Sequence, residues 1–596
     1  MKWNPILKID RIISGKLWKQ LLAALFLFFI ILFVVASYYT FSKNGSLGDN
    51  FMRSFVDMTN PDSLHNEVET NNDSVSIIEN RRVWEFAFVY LLGTIVFTGI
   101  LIATITNIIR IRSNKFRRGT VSYSFKKHIV FLGYNNLVPG IIQKIYEGGE
   151  DVRIVVGVED NASTINDKIK NRLWERFRSK VVTLKADSCN MEDLERLCVP
   201  YAEEVYIIGE HDDAYNLKCY RTIYELSLSE PSSTNRMPQC YVNLQSQSTL
   251  TLFRTYASAG EIGVDFTNFH AFNFNDEWAS MLLLNNSLRF NKKNNECHNH
   301  IIIAGMTEMG VFIAQDAVLL CHYPNTHTTI LFVDDAAEMR KKSFIAQHQN
   351  LFDHRDLLDL SFEFVSGDLS DDIIRKNISN NAEDLSKEMT IAICYDDPKK
   401  NITLGLNLPE SVYCNNNVRV WVYQPTSSDL GKYLKNSHYK NVITFGMSGD
   451  LLDIRNKKNT QIAKRINHYF RRCKENEIDY MNQRLIEMEW EELSIYDRWS
   501  CLRRAVFTHV LSQYGKCFPV MIELERRRSI ADTLLFGSIS KSKSYNDKTY
   551  ISFINTIYDV IAEHYPDIPQ SLNDPPPFYD FKLTDKCPSI YKLYKH

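Results

Sequence analysis

KKHIVFLGYNNLVPGIIQ (Lys126–Gln143) and the later stretch HIIIAGMTEMGVFIAQ (His300–Gln315) decide the fold of this chain. Each begins with a short run of strand-forming residues, turns at a glycine and continues into a helical pattern. Further apolar strands alternate with helical stretches behind both, which is typical of a parallel sheet with crossover helices. Because equivalent strands have similar spacing, the pattern predicts two tandem copies of one Rossmann-like α/β domain, an internal duplication.

Length and composition limit the class of protein. A chain of 596 residues fits three or four domains. Its net charge of −2 shows no overall excess of basic residues, so we expect no nucleic-acid partner. The twelve cysteines include no C-x-x-C pair and all lie from Cys189 onward, which suits a reducing cytoplasm.

Two apolar runs, Leu21–Phe41 and Val83–Ile109, stand at the N-terminus. Each reaches the roughly 20 residues that a helix needs to cross a bilayer. Basic residues precede the first run and follow the second, whereas the loop between them is acidic. This asymmetry predicts a multi-pass protein in contact with membrane lipid, with both termini in the cytoplasm. The expected location is a bacterial inner membrane.

The loop between the two apolar runs has helical spacing over Leu47–Thr59, and Pro61 then ends the helix. A short amphipathic helix followed by a polar stretch is typical of a re-entrant pore loop, where irregular backbone lines a wet cavity. The expected filter is Thr59, Asn60, Pro61 and Asp62, whose oxygens would favour permeating cations. The alternative is a surface hairpin with its helix lying on the bilayer.

The second apolar run carries a polar strip. Thr94 and Thr98 share one helical face, and Gly99 follows them. These residues are the expected pore-lining positions. The alternative is helix–helix packing in the membrane, which is also rich in small and hydroxyl residues.

Candidate ligand-binding residues follow the dinucleotide fingerprint G-x-G-x-x-G. In the second copy Gly305 and Gly310 match its first and third glycines, Thr307 takes the middle position, and Asp334 is the candidate ribose ligand. In the first copy only Gly133 matches, and Glu159 is the candidate acid. The pattern does not identify the bound group, and both a nucleotide and a cation are compatible with it. The alternative is that both sheets serve in assembly and transmission only.

Asp187 and Asp368 occupy matching places, where a third strand ends and a helix begins. Such aspartates cap helix N-termini. The alternative is cation coordination.

The combined pattern resembles the CASTOR/POLLUX family of ion channels, relatives of RCK-gated channels. The resemblance rests on the segments GILI (Gly99–Ile102), KFRRG (Lys115–Gly119) and HIVFLGY (His128–Tyr134). The resemblance implies a homotetrameric cation channel with a cytoplasmic gating ring of RCK domains. Farther on, Trp490–Leu502 and Ile522–Gly537 resemble ryanodine-receptor-type repeats.

The expected organisation has five parts: residues 1–125 as a two-span pore domain with a basic linker, 126–265 as the first RCK-like domain, 266–297 as a connector, 298–430 as the second RCK-like domain and 431–596 as a mainly helical region. The expected function is a ligand-gated cation channel. The alternative is a nonconducting, membrane-anchored nucleotide or ion sensor that regulates a transporter. No catalytic constellation is evident, so we expect no enzyme activity.

Overall fold

A computed structural model describes the chain in separate ranges. They are residues 17–43, 46–59, 84, 87–88, 91, 102, 105–106, 109–115, 118–120, 123–159, 161–209, 212–229, 237–256, 268–285, 297–323, 326–354, 357–384, 387–425, 434, 438–446, 454–455, 457–472, 482–512 and 518–536. The chain divides into two compact units, Met1–Val121 and Ser122–His596.

The first unit contains helices α1 (Leu17–Lys43) and α2 (Leu47–Thr59). The predicted helix after the first apolar run is therefore confirmed. It packs on α1 through Phe51, and the Asn50 side chain donates to the Thr40 hydroxyl over 3.1 Å. On this amphipathic helix Phe55 is 41% exposed, whereas Ser54 is fully buried. The sequence pattern did not reveal the contact between Asn50 and Thr40 because the two residues lie on different helices.

No helix in the described part of the chain is both long and apolar enough to cross a membrane. Most of the second apolar run, Val83–Ile109, lies outside the described residues.

The second unit begins with a six-stranded parallel sheet in the order β3-β2-β1-β4-β5-β6. Its strands are β1 (Ile129–Leu132), β2 (Ile154–Val158), β3 (Val181–Lys185), β4 (Glu204–Ile207), β5 (Gln239–Asn243) and β6 (Phe269–Phe272). Its helices are α3 (Val138–Glu147), α4 (Ala162–Arg172), α5 (Glu175–Arg178), α6 (Met191–Arg196), α7 (Asp213–Ser229), α8 (Gln247–Tyr256) and α9 (Phe274–Asn285), with a 3-10 turn at Val199–Tyr201. The sixth strand and α9 come from the stretch 266–297 that the sequence pattern marks as a connector.

A second six-stranded parallel sheet follows, in the order β12-β11-β10-β7-β8-β9. Its strands are β7 (Cys297–Ala304), β8 (Thr326–Asp334), β9 (Leu360–Ser366), β10 (Lys387–Ile393), β11 (Val418–Tyr423) and β12 (Val442–Phe445). Its helices are α10 (Glu308–Leu320), α11 (Ala337–Gln347), α12 (Gln349–Asp353), α13 (Asp372–Glu383), α14 (Pro398–Leu406) and α15 (Glu410–Cys414).

The two sheets have the same winding. Counted from the first strand of each copy, both read 3-2-1-4-5-6, the order of a doubly wound dinucleotide-type fold. The central strands are buried along their length because helices cover both faces, which is why β1 and β2 read as continuous apolar runs. The predicted pair of Rossmann-like domains is therefore confirmed.

The described C-terminal residues form helices α16 (Lys457–Arg472), α17 (Gln483–Glu491), α18 (Ile495–Ser512) and α19 (Phe518–Phe536). Helix α18 packs on α8 of the first copy and α19 packs on α10 of the second. One continuous hydrophobic core accordingly extends from Phe125 to Phe536.

Arg503 and Arg455 contribute charged contacts that hold the C-terminal region to the two copies. The Arg503 guanidinium lies 2.5 Å from the Asp276 carboxylate on α9 and 2.8 Å from the Asp316 carboxylate on α10. Arg455 contacts Glu150 and Glu204 of the first copy over 2.5 and 2.6 Å. Because these pairs join segments far apart in sequence, they hold the C-terminal region in one arrangement on both sheets.

A buried histidine gives a reason to expect that the core is sensitive to acid. His322 follows α10 and lies with its ring centroid 6.1 Å from that of Phe507 on α18. Burial, reinforced by Arg527 and Arg528, lowers its pKa to about 3. In the unfolded chain histidines titrate near pH 6.5, so the unfolded state binds a proton at this position more readily than the folded state. The stability that neutral His322 contributes is therefore fully present above pH 6.5 and is lost as the pH falls toward 3.

We therefore expect His322→Leu to reduce the acid sensitivity of the fold. Between pH 7.5 and pH 5 the wild type should lose about 2 kcal/mol more stability than the variant, since one histidine fewer takes up a proton on unfolding. Urea unfolding of the full chain at both pH values measures this difference. His354→Leu, which removes an exposed imidazole, controls for the loss of a histidine. Parallel pH profiles for wild type and His322→Leu would contradict the assignment.

Candidate functional site

Ligands of doubly wound sheets bind at the carboxyl edge, where the strand order reverses. In this chain that point lies between β1 and β4 in the first copy and between β7 and β10 in the second. We call the two places the first crevice and the second crevice. They are the natural candidates for a functional site because loops from adjacent strands separate there.

The two central loops in each crevice cross at very short range. Gly133, with φ +91°, would place a Cβ 2.5 Å from the Gly209 Cα. Gly305, with φ +95°, would place a Cβ 2.9 Å from the Tyr395 backbone nitrogen. Both positions therefore require glycine on two counts, a left-handed backbone and a lack of space. Gly133 and Gly305, which the sequence marks as candidate ligand-binding residues, thus lie in the two crevices, where they allow the backbones to cross closely.

The N-terminus of α3 in the first crevice is capped by the chain itself. The Asn135 side-chain oxygen accepts from the backbone N–H groups of Leu137 and Val138, over 2.9 and 3.2 Å. Pro139 follows in the first turn and has no N–H. A dinucleotide pyrophosphate binds to the free N–H groups of the first helical turn. In α3 two of these N–H groups already donate to Asn135 and the proline has none, so this helix N-terminus does not fit a pyrophosphate.

The second crevice has a related arrangement at α10. The Thr307 hydroxyl accepts from the Gly310 backbone N–H over 3.4 Å and donates to the Cys394 carbonyl over 2.5 Å. Thr307 thus ties the start of α10 to the end of β10. Its side chain stands where the fingerprint needs a bare backbone for close phosphate approach, so the second crevice does not fit a pyrophosphate in the fingerprint position either.

Gly310 and Asp334 have roles within the protein. A Cβ on Gly310 would lie 2.3 Å from the Gly305 carbonyl oxygen, so this glycine lets α10 pack directly on the turn after β7. The Asp334 carboxylate accepts from the backbone N–H groups of Met306 and Ala336, each over 2.8 Å. It also pairs with Arg340 over 3.0 Å. Asp334 therefore braces the loop between β7 and α10.

A hydroxyl joins two carboxylates at the edge of the first crevice. Tyr215, on α7, has its hydroxyl oxygen 2.6 Å from Glu159 and 3.2 Å from Asp187. Burial, helped by the hydrogen bond to Glu159, raises the pKa of Tyr215, so the phenol stays protonated and serves as donor. We call Glu159, Tyr215 and Asp187 the first bridge. It links the ends of β2 and β3 to the helix after β4.

An ammonium group takes the same place in the second copy. The Lys400 Nζ lies 2.7 Å from the Asp368 carboxylate, 4.0 Å from Asp335 and 3.8 Å from the centre of the Tyr395 ring. Partial burial opposes ionisation of Asp368, but hydrogen bonds from Lys400 and Ser370 outweigh it and hold the pKa below its usual range. We call Asp335, Lys400 and Asp368 the second bridge.

The two bridges correspond position by position. Tyr215 and Lys400 are each the third residue of the helix after the fourth strand of their copy. Asp187 and Asp368 each lie two residues past the third strand. The position in the second copy that corresponds to Glu159 is Asp335, because Asp334 is the last residue of β8. Neither Asp187 nor Asp368 caps its helix; each accepts from a backbone N–H two residues ahead and faces its bridge.

Sequence reasoning missed Tyr215, Lys400 and Asp335. A tyrosine or lysine near a helix start carries no signal of its own. Alignment of the two copies strand by strand would have revealed that both copies place a hydrogen-bond donor at the same position, opposite two carboxylates.

The predicted pore residues belong to the first unit. Thr59 is the last residue of α2. The other six positions, Asn60, Pro61, Asp62, Thr94, Thr98 and Gly99, lie outside the described residues. Their assigned roles stay predictions.

A metal site is not evident among the residues with described positions, where no three His, Cys, Asp or Glu side chains stand together as a ligand set. The polar groups described in both crevices are instead engaged in internal hydrogen bonds and, in the second crevice, internal ion pairs. Each bridge holds the helix after the fourth strand against the ends of the second and third strands.

Comparison with known proteins returns structural neighbours but no sequence relatives. No protein-family model matches the sequence. No curated protein matches it either. Among solved structures, the GsuK channel bound to ADP is 15% identical, covers 72% of this chain and 96% of its own, and superposes with a TM-score of 0.41. A second GsuK channel structure is 14% identical over 72% of this chain and 96% of its own, with a TM-score of 0.40. The human SLO3 gating ring is 10% identical over 65% of this chain and 86% of its own, with a TM-score of 0.35. Similarity at this level supports no conclusion about the fold or the function of this chain.

Proposed function

We propose that this chain is the subunit of a ligand-regulated cation channel, in which the second unit is the regulatory part and the first unit forms the pore. Four copies surround one pore, with both termini in the cytoplasm of a bacterial cell. The proposal follows the resemblance to CASTOR/POLLUX channels along the linker and first strand, and the C-terminal resemblance to ryanodine-receptor-type repeats belongs to it as well. The chain has no enzymatic activity in this proposal.

The observation that carries the regulatory role is the pair of bridges. Both copies close the carboxyl edge of the sheet with a donor on the helix after the fourth strand, Tyr215 in one and Lys400 in the other. A ligand that enters a crevice must compete with that bridge. Such a ligand binds the open and closed bridge with different affinity, which is the condition for shifting a conformational equilibrium.

The joint at the C-terminal helices supplies a route for that shift. Arg503 contacts α9 of the first copy and α10 of the second, and Thr307 in the second crevice caps the N-terminus of α10. Movement of α10 on ligand binding would therefore reach the first copy through packed helices. The ligand class stays open between a nucleotide and a cation, and the capped helix N-termini favour a binding mode other than the dinucleotide fingerprint.

Planar-bilayer recording with the purified full chain tests the proposal. We expect cation currents that change when nucleotides or divalent cations are added on the side of the regulatory unit. Asp62→Asn should lower cation conductance because it removes a carboxylate from the expected filter. Asp49→Asn is the matched control, since Asp49 lies at the opposite end of α2 and hydrogen-bonds to Ser46.

Two results would contradict the proposal. One is the absence of conductance for every cation across the ligands tested, and the other is a monomeric particle after extraction in detergent. A tetramer without conductance would favour the alternative of a nonconducting regulatory subunit.

A further inference from the structure

Two cysteines lie in contact beside the first bridge. The Cys189 and Cys219 sulfurs are 3.0 Å apart. Cys189 is half-buried in the turn after β3, and Cys219 is buried on α7. They are 30 residues apart in sequence, so only the fold brings them together.

Their positions connect the same elements as the first bridge. The Cys189 backbone N–H donates to the Asp187 carboxylate over 2.8 Å, and the Cys189 thiol points to the Tyr215 carbonyl at 3.8 Å. Cys219 lies one helical turn after Tyr215 on α7. A covalent link between the sulfurs would therefore fasten the turn after β3 to α7, next to the contact between Asp187 and Tyr215.

We propose that Cys189 and Cys219 form a reversible disulfide when the chain meets a low-molecular-weight disulfide such as oxidised glutathione. The sulfurs need to move only from 3.0 Å to the bond length of about 2.05 Å. Disulfides in a reducing cytoplasm are characteristically transient and redox-sensing, and a dithiol held in contact by the fold suits that role.

The exchange has two steps. The Cys189 thiolate attacks one sulfur of glutathione disulfide, which breaks that bond, releases one glutathione and leaves a mixed disulfide on Cys189. The Cys219 sulfur then attacks the Cys189 sulfur, and the second glutathione leaves. Two electrons pass from the protein to glutathione disulfide, and the two thiol protons end on the two glutathione molecules. Cys189 reacts first because it is the accessible partner, and burial raises the pKa of the Cys219 thiol.

The test uses the reduced full chain in glutathione buffers of graded ratio at neutral pH, followed by acid quenching, alkylation, digestion and mass spectrometry. We expect a peptide pair joined through Cys189 and Cys219. The number of free thiols in the chain should fall from twelve to ten. Native protein should reach half-oxidation in a buffer at least about tenfold more reducing than urea-unfolded protein needs, since the fold holds the sulfurs together.

Two variants separate this pair from general thiol oxidation. Cys219→Ser should abolish the joined peptide and leave glutathione attached to Cys189. Cys414→Ser, which removes an exposed cysteine elsewhere, should leave the joined peptide unchanged. Glutathione adducts on Cys189 in the native wild type without any joined peptide would overturn the proposal, as would equal oxidation of native and unfolded chains.

Discussion

Replacing Arg503 with methionine is expected to destabilise the second unit by about 3–5 kcal/mol, the cost of breaking a buried ion pair by removing one partner. Arg503 is 6% exposed, and its partners Asp276 and Asp316 are 4% and 1% exposed. The substitution removes the guanidinium that contacts both buried carboxylates, while the Ser280 hydroxyl still donates to Asp316. Because the joint links both copies to α18, its loss should also loosen the C-terminal helices.

Unfolding of the full chain by urea, followed by tryptophan fluorescence, measures this effect. Trp278 and Trp499 lie one helical turn or less from the joint, so their signal reports on it directly. Arg221→Met is the matched control: it breaks an exposed pair with Glu225 and should change stability by less than about 1 kcal/mol.

A triple variant isolates the electrostatic cause of this destabilisation. If unpaired charge causes the loss, adding Asp276→Asn and Asp316→Asn to Arg503→Met should recover part of it. A single variant as stable as the wild type would show that Arg503 does not hold the joint.

Gly310→Ala is expected to destabilise the second unit by about 2–3 kcal/mol, in the range of overpacked cores. Alanine is favoured over glycine in a helix by about 1 kcal/mol, so propensity alone would predict the opposite sign. The added Cβ would lie 2.3 Å from the Gly305 carbonyl oxygen and 2.9 Å from the Ile303 side chain. The nearest of these atoms is backbone and cannot rotate away, hence α10 must lift from the sheet.

The same urea titration applies to Gly310→Ala, with Gly48→Ala as the control. Gly48 is also a helical glycine, but no atom lies within 4 Å of its added Cβ. That substitution should be neutral or slightly stabilising. A Gly310→Ala variant with wild-type stability would mean that α10 and the turn after β7 pack less tightly than described, and Thr307 would then have room to move with a ligand.

The residue types along the chain were enough to predict its α/β core. Parallel strands buried on both faces are continuous apolar runs, so β1 and β7 are visible in the sequence without any knowledge of their neighbours. The fingerprint also singled out Gly133, Gly305 and Gly310, because a strand-to-helix turn restricts its residues locally, but the ligand-binding role assigned to them stays a prediction. The helix Leu47–Thr59 followed from its spacing and from Pro61.

Contacts between distant segments needed the folded chain. The sixth strand of the first sheet, Phe269–Phe272, is only four residues long and lacks a distinctive pattern, so its pairing with β5 defines it. The bridges depend on where helices α7 and α14 begin relative to strands laid beside them. Tyr215 meets Asp187, and Lys400 meets Asp368, from positions about 30 residues apart along the chain.

The amino-acid order alone therefore determined that this protein has two α/β domains with parallel sheets, because secondary structure and burial are encoded by local periodicity. Tertiary structure alone decided which side chains close the two crevices, which arginine joins the copies and which thiols touch. A side chain reaches only a few ångströms, and the partners it reaches depend on how the elements pack, which no local pattern records.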